Sequence, residues 1–198
     1  MQWWNIVLNV AHQALIYVLI VMKFGRLSIV YANYDFNRVF TELHNFCAVD
    51  LSAFYFDIRK DSLYCDAADS IRRRSARTVM HHVFACLTHW LAPVLCFTCE
   101  EAWGAYGNKD SIHLQELPGI PAEWQNDQLS AKWDFIRTVR GVVTSAIEIE
   151  RKAGRVGSSL QAAPTIHIQQ EKFASVSAID DVTWEEICIV SQAKIDVY

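Results

Sequence analysis

Steps of three and four separate the apolar residues between positions 34 and 58: Phe36, Val39, Phe40, Leu43, Phe46, Cys47, Leu51, Phe54, Tyr55 and Ile58. That spacing puts them on one side of a helix, because residues three and four apart share a face. Asp61 and Ser62 interrupt the run, and Asp66, Asp69 and Ser70 then bring oxygens and negative charge suited to the open amides of a new helix start. A second long helix follows, with a predicted buried stripe of Ile71, Ser75, Thr78, Val79, His82, Val83, Cys86 and Leu87, closed by Trp90 and Leu91. Pro93 lacks an amide donor and restricts the residue before it, so it ends that helix. Thr98 and Glu101 have the spacing of a capping box and predict a short helix that stops at Gly107.

Residues 107–126 carry Gly107, Asn108, Pro118, Gly119 and Pro121 and read as a connection. The next helix begins near Asp127 and carries Leu129, Trp133, Ile136, Val139, Val143, Ile147 and Glu150 at helical spacing before Gly154 and Gly157 end it. The character then changes. Residues 165–168 predict a short strand, residues 171–178 a helical turn or two, and residues 187–190 a second strand. The fold class expected is mainly α. It is an antiparallel helical bundle over residues 31–160 with Phe46, Phe54, Val83, Leu87, Trp133 and Val143 inside, followed by a small α/β appendage over residues 161–198 that packs onto it. Residues 1–30 form a separate segment, apolar from 6 to 22 except for Asn9, His12 and Gln13. That run is short for crossing a bilayer and has neither a basic start nor a cleavage site, so neither a membrane span nor a signal peptide is expected.

The 52% hydrophobic content of the 198-residue chain can fill a core. A net charge of −4 excludes a bulk polycation that coats nucleic acid, but it leaves room for a local basic patch. Arg72, Arg73, Arg74 and Arg77 fall within six positions free of acids, whereas acids gather at Glu100, Glu101 and from 180 to 186. Arg73 and Arg77 lie one turn apart with Arg74 beside them, on the side opposite the apolar stripe. A second basic set, Arg137, Arg140, Arg151, Lys152 and Arg155, lies on the later long helix and its exit. Two such faces on antiparallel helices can follow a phosphate backbone, with Asn45, Tyr55, Ser158 and Ser159 in reach of sugars or bases. The competing account is a solvated helix face, the usual fate of a charge run.

Six cysteines without the density of a disulfide scaffold point to a reducing cytoplasm. Cys96 and Cys99 form a lone C-x-x-C, which core packing explains better than zinc or a redox pair. His44, His81, His82, His89, His113 and His167 sit in no nucleophile elbow, zinc-helix motif or phosphate-cradling glycine loop. The G-R-V-G-S-S run at 154–159 lacks the ending of a phosphate loop and follows a helix rather than a strand. No catalytic residue and no metal site are expected, and the architecture is one for binding.

Three runs carry a family resemblance: YDFNRVFTELHNFCAVDLSAFYFDIRKDSLYC at 34–65, RRRSARTVMHHVFACLTHWLAPVLCFTCEEAW at 72–103 and ERKAGRVGSSLQAAPTIHI at 150–168. With S-I-H-L at 111–114, the chain resembles the anticodon-binding region of the isoleucyl-tRNA synthetases, class I aminoacyl-tRNA synthetases, over roughly residues 31–198. Valyl and leucyl relatives share the bundle, but the NFCAVDLSAFYFDIRKDSLYCD run looks most like the isoleucyl enzymes. The resemblance implies a helical tRNA-binding domain that follows a catalytic domain, in a cytoplasmic monomer serving protein synthesis. Its partners would be isoleucine tRNAs and the remainder of the synthetase. The family's ATP-binding signatures, its Rossmann catalytic domain and its editing domain have no counterpart here. ATP and magnesium are therefore expected with a catalytic domain elsewhere, no cofactor is expected in this chain, and the chain alone is expected not to activate isoleucine. The zinc module of many bacterial members and the charged helix before residue 31 also lack a match, so the expectation is a fragment of a longer gene with a foreign or frame-shifted start. The alternative expectation is a helical scaffold or membrane-tethered interaction protein, motivated by the apolar first segment.

Overall fold

The structure, a computed structural model, describes residues 27, 29–119, 121, 124–177 and 182–198, and the apolar run at 6–22 lies outside them. Helix α1 (Phe36–Asn45) opens on Asp35, whose carboxylate accepts from the Arg38 amide at 3.2 Å. It passes without a break into a π-helical stretch, Phe46–Phe56, and on into α2 (Asp57–Tyr64). The wider i→i+5 turn changes which residues face inward. Phe46, then Asp50 and Leu51, then Phe54 and Tyr55, then Ile58 and Arg59 are buried, a repeat of four residues. Ser62 does not break the helix, contrary to expectation, because it is buried with its hydroxyl donating to the Arg59 carbonyl at 3.0 Å. The chain leaves the helix at Cys65.

Helix α3 (Ile71–Leu91) starts after Ser70, whose hydroxyl is turned away from the helix amides and donates to the Asp66 carboxylate at 3.1 Å. Its inner face is Ser75, Ala76, Val79, Val83, Cys86 and Trp90. Ile71 is exposed and Leu87 is only partly buried, so the predicted stripe is rotated toward Ala76 and Trp90 and leaves Leu87 at its margin. Thr88 satisfies its hydroxyl within the helix on the Phe84 carbonyl, at 2.9 Å.

Helix α4 (Cys96–Ala105) begins two residues before Thr98, with Leu95 at the cap position, so the expected Thr98–Glu101 capping box does not form. The neighbouring Glu100 has a different role. Its carboxylate accepts from the Ser111 hydroxyl at 2.9 Å and the Ile112 amide at 3.0 Å, fastening the 3₁₀ turn Ile112–Leu114 to α4. Gly107, at φ +104°, takes the left-handed conformation that ends the helix there. Cys99 is buried and Cys96 exposed, so core packing accounts for only one thiol of the pair.

Helix α5 (Asp127–Lys152) is capped by the Asn126 side chain, which accepts from the Leu129 amide at 2.9 Å, and it buries Trp133, Ile136 and Val143. Beyond it, β1 (Thr165–Ile168) and β2 (Lys194–Val197) form a parallel pair in which Thr165 faces Lys194 and Ile168 faces Val197. Helices α6 (Gln170–Ser177) and α7 (Trp184–Cys188) lie between them in sequence. The strand expected at 187–190 is instead the end of α7. Thr183 and Glu186 form a reciprocal capping box that nucleates the helix, and Ile189, left-handed at φ 55°, turns the chain before it becomes a strand at Lys194. Ile166, Ile168, Val182, Trp184, Ile187 and Val190 are buried in the same core as Phe46, Val83 and Trp133, so the appendage packs onto the bundle.

Trp133 is among the largest fully enclosed side chains, and Leu87 lies at the margin of the core. Urea unfolding should show Trp133→Ala costing about 3–5 kcal/mol and Leu87→Ala less than about 2 kcal/mol. The reverse order would mean the α3 stripe is assigned to the wrong face.

Candidate nucleic-acid interface

The arginines of this chain divide by what the fold asks of them. Arg137 and Arg140, on successive turns of α5, lay their guanidinium carbons 5.1 and 5.4 Å from the centre of the Phe54 ring. Trp133 meets the same ring edge-on at 6.2 Å. Arg137 is paired to the buried Asp50 at 2.7 Å, which supplies the countercharge an enclosed carboxylate needs. Arg140 donates its Nε to the Ile187 carbonyl at 2.7 Å and lies 3.7 Å from Asp57. Burial pulls its pKa below the ordinary arginine value, and Asp57 opposes that pull. Both residues were expected to meet phosphates; the structure has them joining α5 to the π-helical stretch, α2 and α7.

The α3 cluster divides the same way. Arg72 reaches Glu186 of α7 at 2.6 Å. Arg73 is partly buried, with Nη1 donating to the Asp66 carbonyl at 2.8 Å, so it braces the α2–α3 turn instead of standing on an open face. Arg74 and Arg77 are exposed, and Arg77 has no hydrogen bond or ion pair among the described residues. The same helix face continues through His81 and Phe84.

The remaining candidates sort by exposure and pairing. Tyr55 is 0% exposed and offers no surface to an RNA. Asn45 and Ser158 are exposed and Ser159 partly so. Near the end of α5, Arg151 grips Glu148 with two bonds of 2.8 and 2.7 Å, and Arg155 grips Glu150 the same way. These local pairs neutralise much of the second basic set and leave Lys152, exposed in the last turn, as its open cation. A cleft of about 890 Å³ between α5 and β1 is lined mostly by aliphatic side chains such as Val139, Val143 and Ile147. It has no convergent cations to hold phosphate. Among the described residues no group of three or more metal-binding side chains is assembled, and no helix is long and apolar enough to cross a membrane.

A ring cluster that no sequence motif marks lies beside Arg77. Tyr106 stacks on Phe84, ring centres 4.6 Å apart, and Phe84 lies parallel to Trp103 at 6.3 Å. The His81 Nδ1 is 2.8 Å from the Tyr106 hydroxyl. Its signal in the sequence is the run of steps of three, four and three that joins Arg74, Arg77, His81 and Phe84. Attention to the apolar stripe on the other side of the helix misses it.

Residues 27–166 match the anticodon-binding domain of tRNA ligases. The chain belongs to that family. It is similar to the isoleucine–tRNA ligase of Agrobacterium fabrum, 51% identical over 162 residues, which is 81% of this chain and 16% of the relative. The isoleucine–tRNA ligase of Brucella abortus is 48% identical over the same length, and that of Mesorhizobium japonicum 47% over 166 residues. The chain thus spans about one sixth of these ligases, given the 16% coverage. The exposed cations of α3 adjoin the ring cluster of His81, Phe84 and Tyr106. The arginines around Phe54 serve the fold.

Arg140→Met keeps the aliphatic stem but removes the links to Ile187 and Asp57. Hydrogen exchange should quicken across residues 184–197 and stay unchanged in α3, whereas unchanged exchange at 184–197 would show that Arg140 does not secure the appendage. His82, packed edge-on against Trp124 at 5.3 Å, has its pKa lowered from 6.5 by burial and then by the neighbouring His81. Unfolding restores its ordinary proton affinity, so the unfolded chain binds more protons below pH 6.5 and stability falls as pH drops through that value. The thermal midpoint of His82→Gln should therefore fall less than that of the unaltered chain between about pH 7.5 and about pH 5.5. Equal falls would assign the pH dependence to other groups.

Proposed function

We propose that this chain is the tRNA-binding helical domain of an isoleucine–tRNA ligase, gripping the anticodon end of isoleucine tRNA while domains elsewhere in the ligase carry out adenylation and transfer. The observation that carries the reading is the near 50% identity to isoleucine–tRNA ligases along 81% of the chain. Physical support comes from α3, where Arg74 and Arg77 are exposed on the side away from the core. Cations placed this way can release counterions from a phosphate backbone without unpacking the core. The ligase would work in the cytoplasm as a monomer, with ATP and magnesium bound by its catalytic domain. Family membership displaces the scaffold reading as an account of residues 27–166.

Filter binding of isoleucine tRNA across a salt series tests this. Arg74→Ala/Arg77→Ala should weaken binding severalfold and reduce the slope of log affinity against log salt by roughly 0.7–0.9 for each phosphate no longer neutralised. Arg137→Met, altered within the fold, should leave the slope unchanged. An unaltered affinity and slope in the double variant would move the RNA off α3.

A further inference from the structure

We infer that Tyr106 is a stacking platform for an unpaired RNA base, set at the end of a stripe in which Arg74 and Arg77 take the flanking phosphates. The inference rests on the tRNA reading and adds to it a specific residue and a specific chemistry.

The stripe follows from helix geometry. Residues 74, 77, 81 and 84 recur at steps of three, four and three and so lie along one face of α3, opposite the buried Val79, Val83 and Trp90. From Arg77 to Phe84 the axial distance is about 10 Å at the rise of an α-helix, a span that one or two nucleotides can bridge. Cationic side chains occupy one end of the stripe and aromatic rings the other.

The rings are arranged as a column. Trp103 is fixed by its indole N–H, which donates to the Asp110 carbonyl at 3.0 Å. Phe84 lies against it at 6.3 Å with the planes 9° apart, and Tyr106 stacks on Phe84 at 4.6 Å and 27°. His81 holds the outer ring from the side, at 5.6 Å between centres and 2.8 Å to the phenol oxygen. Tyr106, stacked on Phe84, is 54% exposed.

An aromatic face oriented by a stacked neighbour, with exposed arginines to one side of it, has the chemistry that recognises single-stranded RNA. Every base has a π-face to lay on the ring, and the phosphates to one side of it meet the cations. Base-paired RNA cannot use the platform, because its bases are already stacked on one another.

The test uses the full chain and an RNA stem–loop with the anticodon-arm sequence of isoleucine tRNA, carrying 2-aminopurine at successive loop positions. At one position binding should quench the fluorophore, with Tyr106→Phe retaining both quench and affinity. Tyr106→Leu should abolish the quench and bind about tenfold more weakly, the effect expected when one stacked base gives up its ring. Its salt slope should match that of the unaltered chain, which separates stacking from phosphate binding. A fully base-paired RNA of equal length should bind the unaltered chain at least tenfold more weakly, a comparison that needs no variant. Equal quench and affinity in Tyr106→Leu, or equal binding of the paired RNA, overturns the platform while tRNA binding stands. Failure of the unaltered chain to bind the stem–loop overturns the tRNA reading and the platform with it.

Discussion

The Phe54 ring is the contact on which the rest of the fold depends. Trp133 packs edge-on against it and two guanidiniums lie near its face, so one side chain of the π-helical stretch fixes three successive turns of α5. Each guanidinium then makes a second bond outward, Arg137 to Asp50 and Arg140 to Ile187. Cation–ring attraction strengthens where water is excluded, and the paired carboxylate offsets the cost of enclosing the charge. Through Ile187 the same cluster sets α7 against the bundle, and Arg72 repeats the tie by reaching Glu186. The appendage is thereby part of the domain's framework.

That arrangement has a consequence for recognition. Guanidiniums turned inward to hold elements together cannot also hold phosphate, because moving Arg137 onto a phosphate would leave Asp50 buried without its partner. On the proposed reading, RNA meets side chains that the fold leaves exposed, among them Arg74 and Arg77 on α3 and Lys152 at the end of α5. Counting basic residues along the sequence overstates the basic surface. Their burial and pairing decide it.

Much of the architecture was legible in the sequence because it depends on periodicity and breakers. Helix α5 starts at Asp127, α4 is stopped by Gly107 and β1 spans the residues expected. Three features were not legible. The π-helical winding of Phe46–Phe56 depends on packing that a count of apolar steps does not contain, and with it Asp50 and Arg59 are buried beside the apolar positions. Residues 187–190 have the composition of a strand, but the capping box at Thr183, with Glu186 ahead of the apolar run, nucleates a helix first. Arg137 and Arg140 looked like an open basic face because their partners, Asp50 and the Ile187 carbonyl, are remote in sequence. Local spacing identified the helices and resemblance the family, whereas the allocation of charge required tertiary contacts.

The proposal that RNA meets the exposed cations of α3 is tested most directly by ultraviolet crosslinking of isoleucine tRNA to the chain, with the attached peptides located by mass spectrometry. Crosslinks should concentrate on residues 74–84 and 103–107, where exposed cations adjoin the ring column. Crosslinks concentrated on residues 133–140 and 184–190 would contradict the account, since RNA could reach them only by displacing the contacts around Phe54.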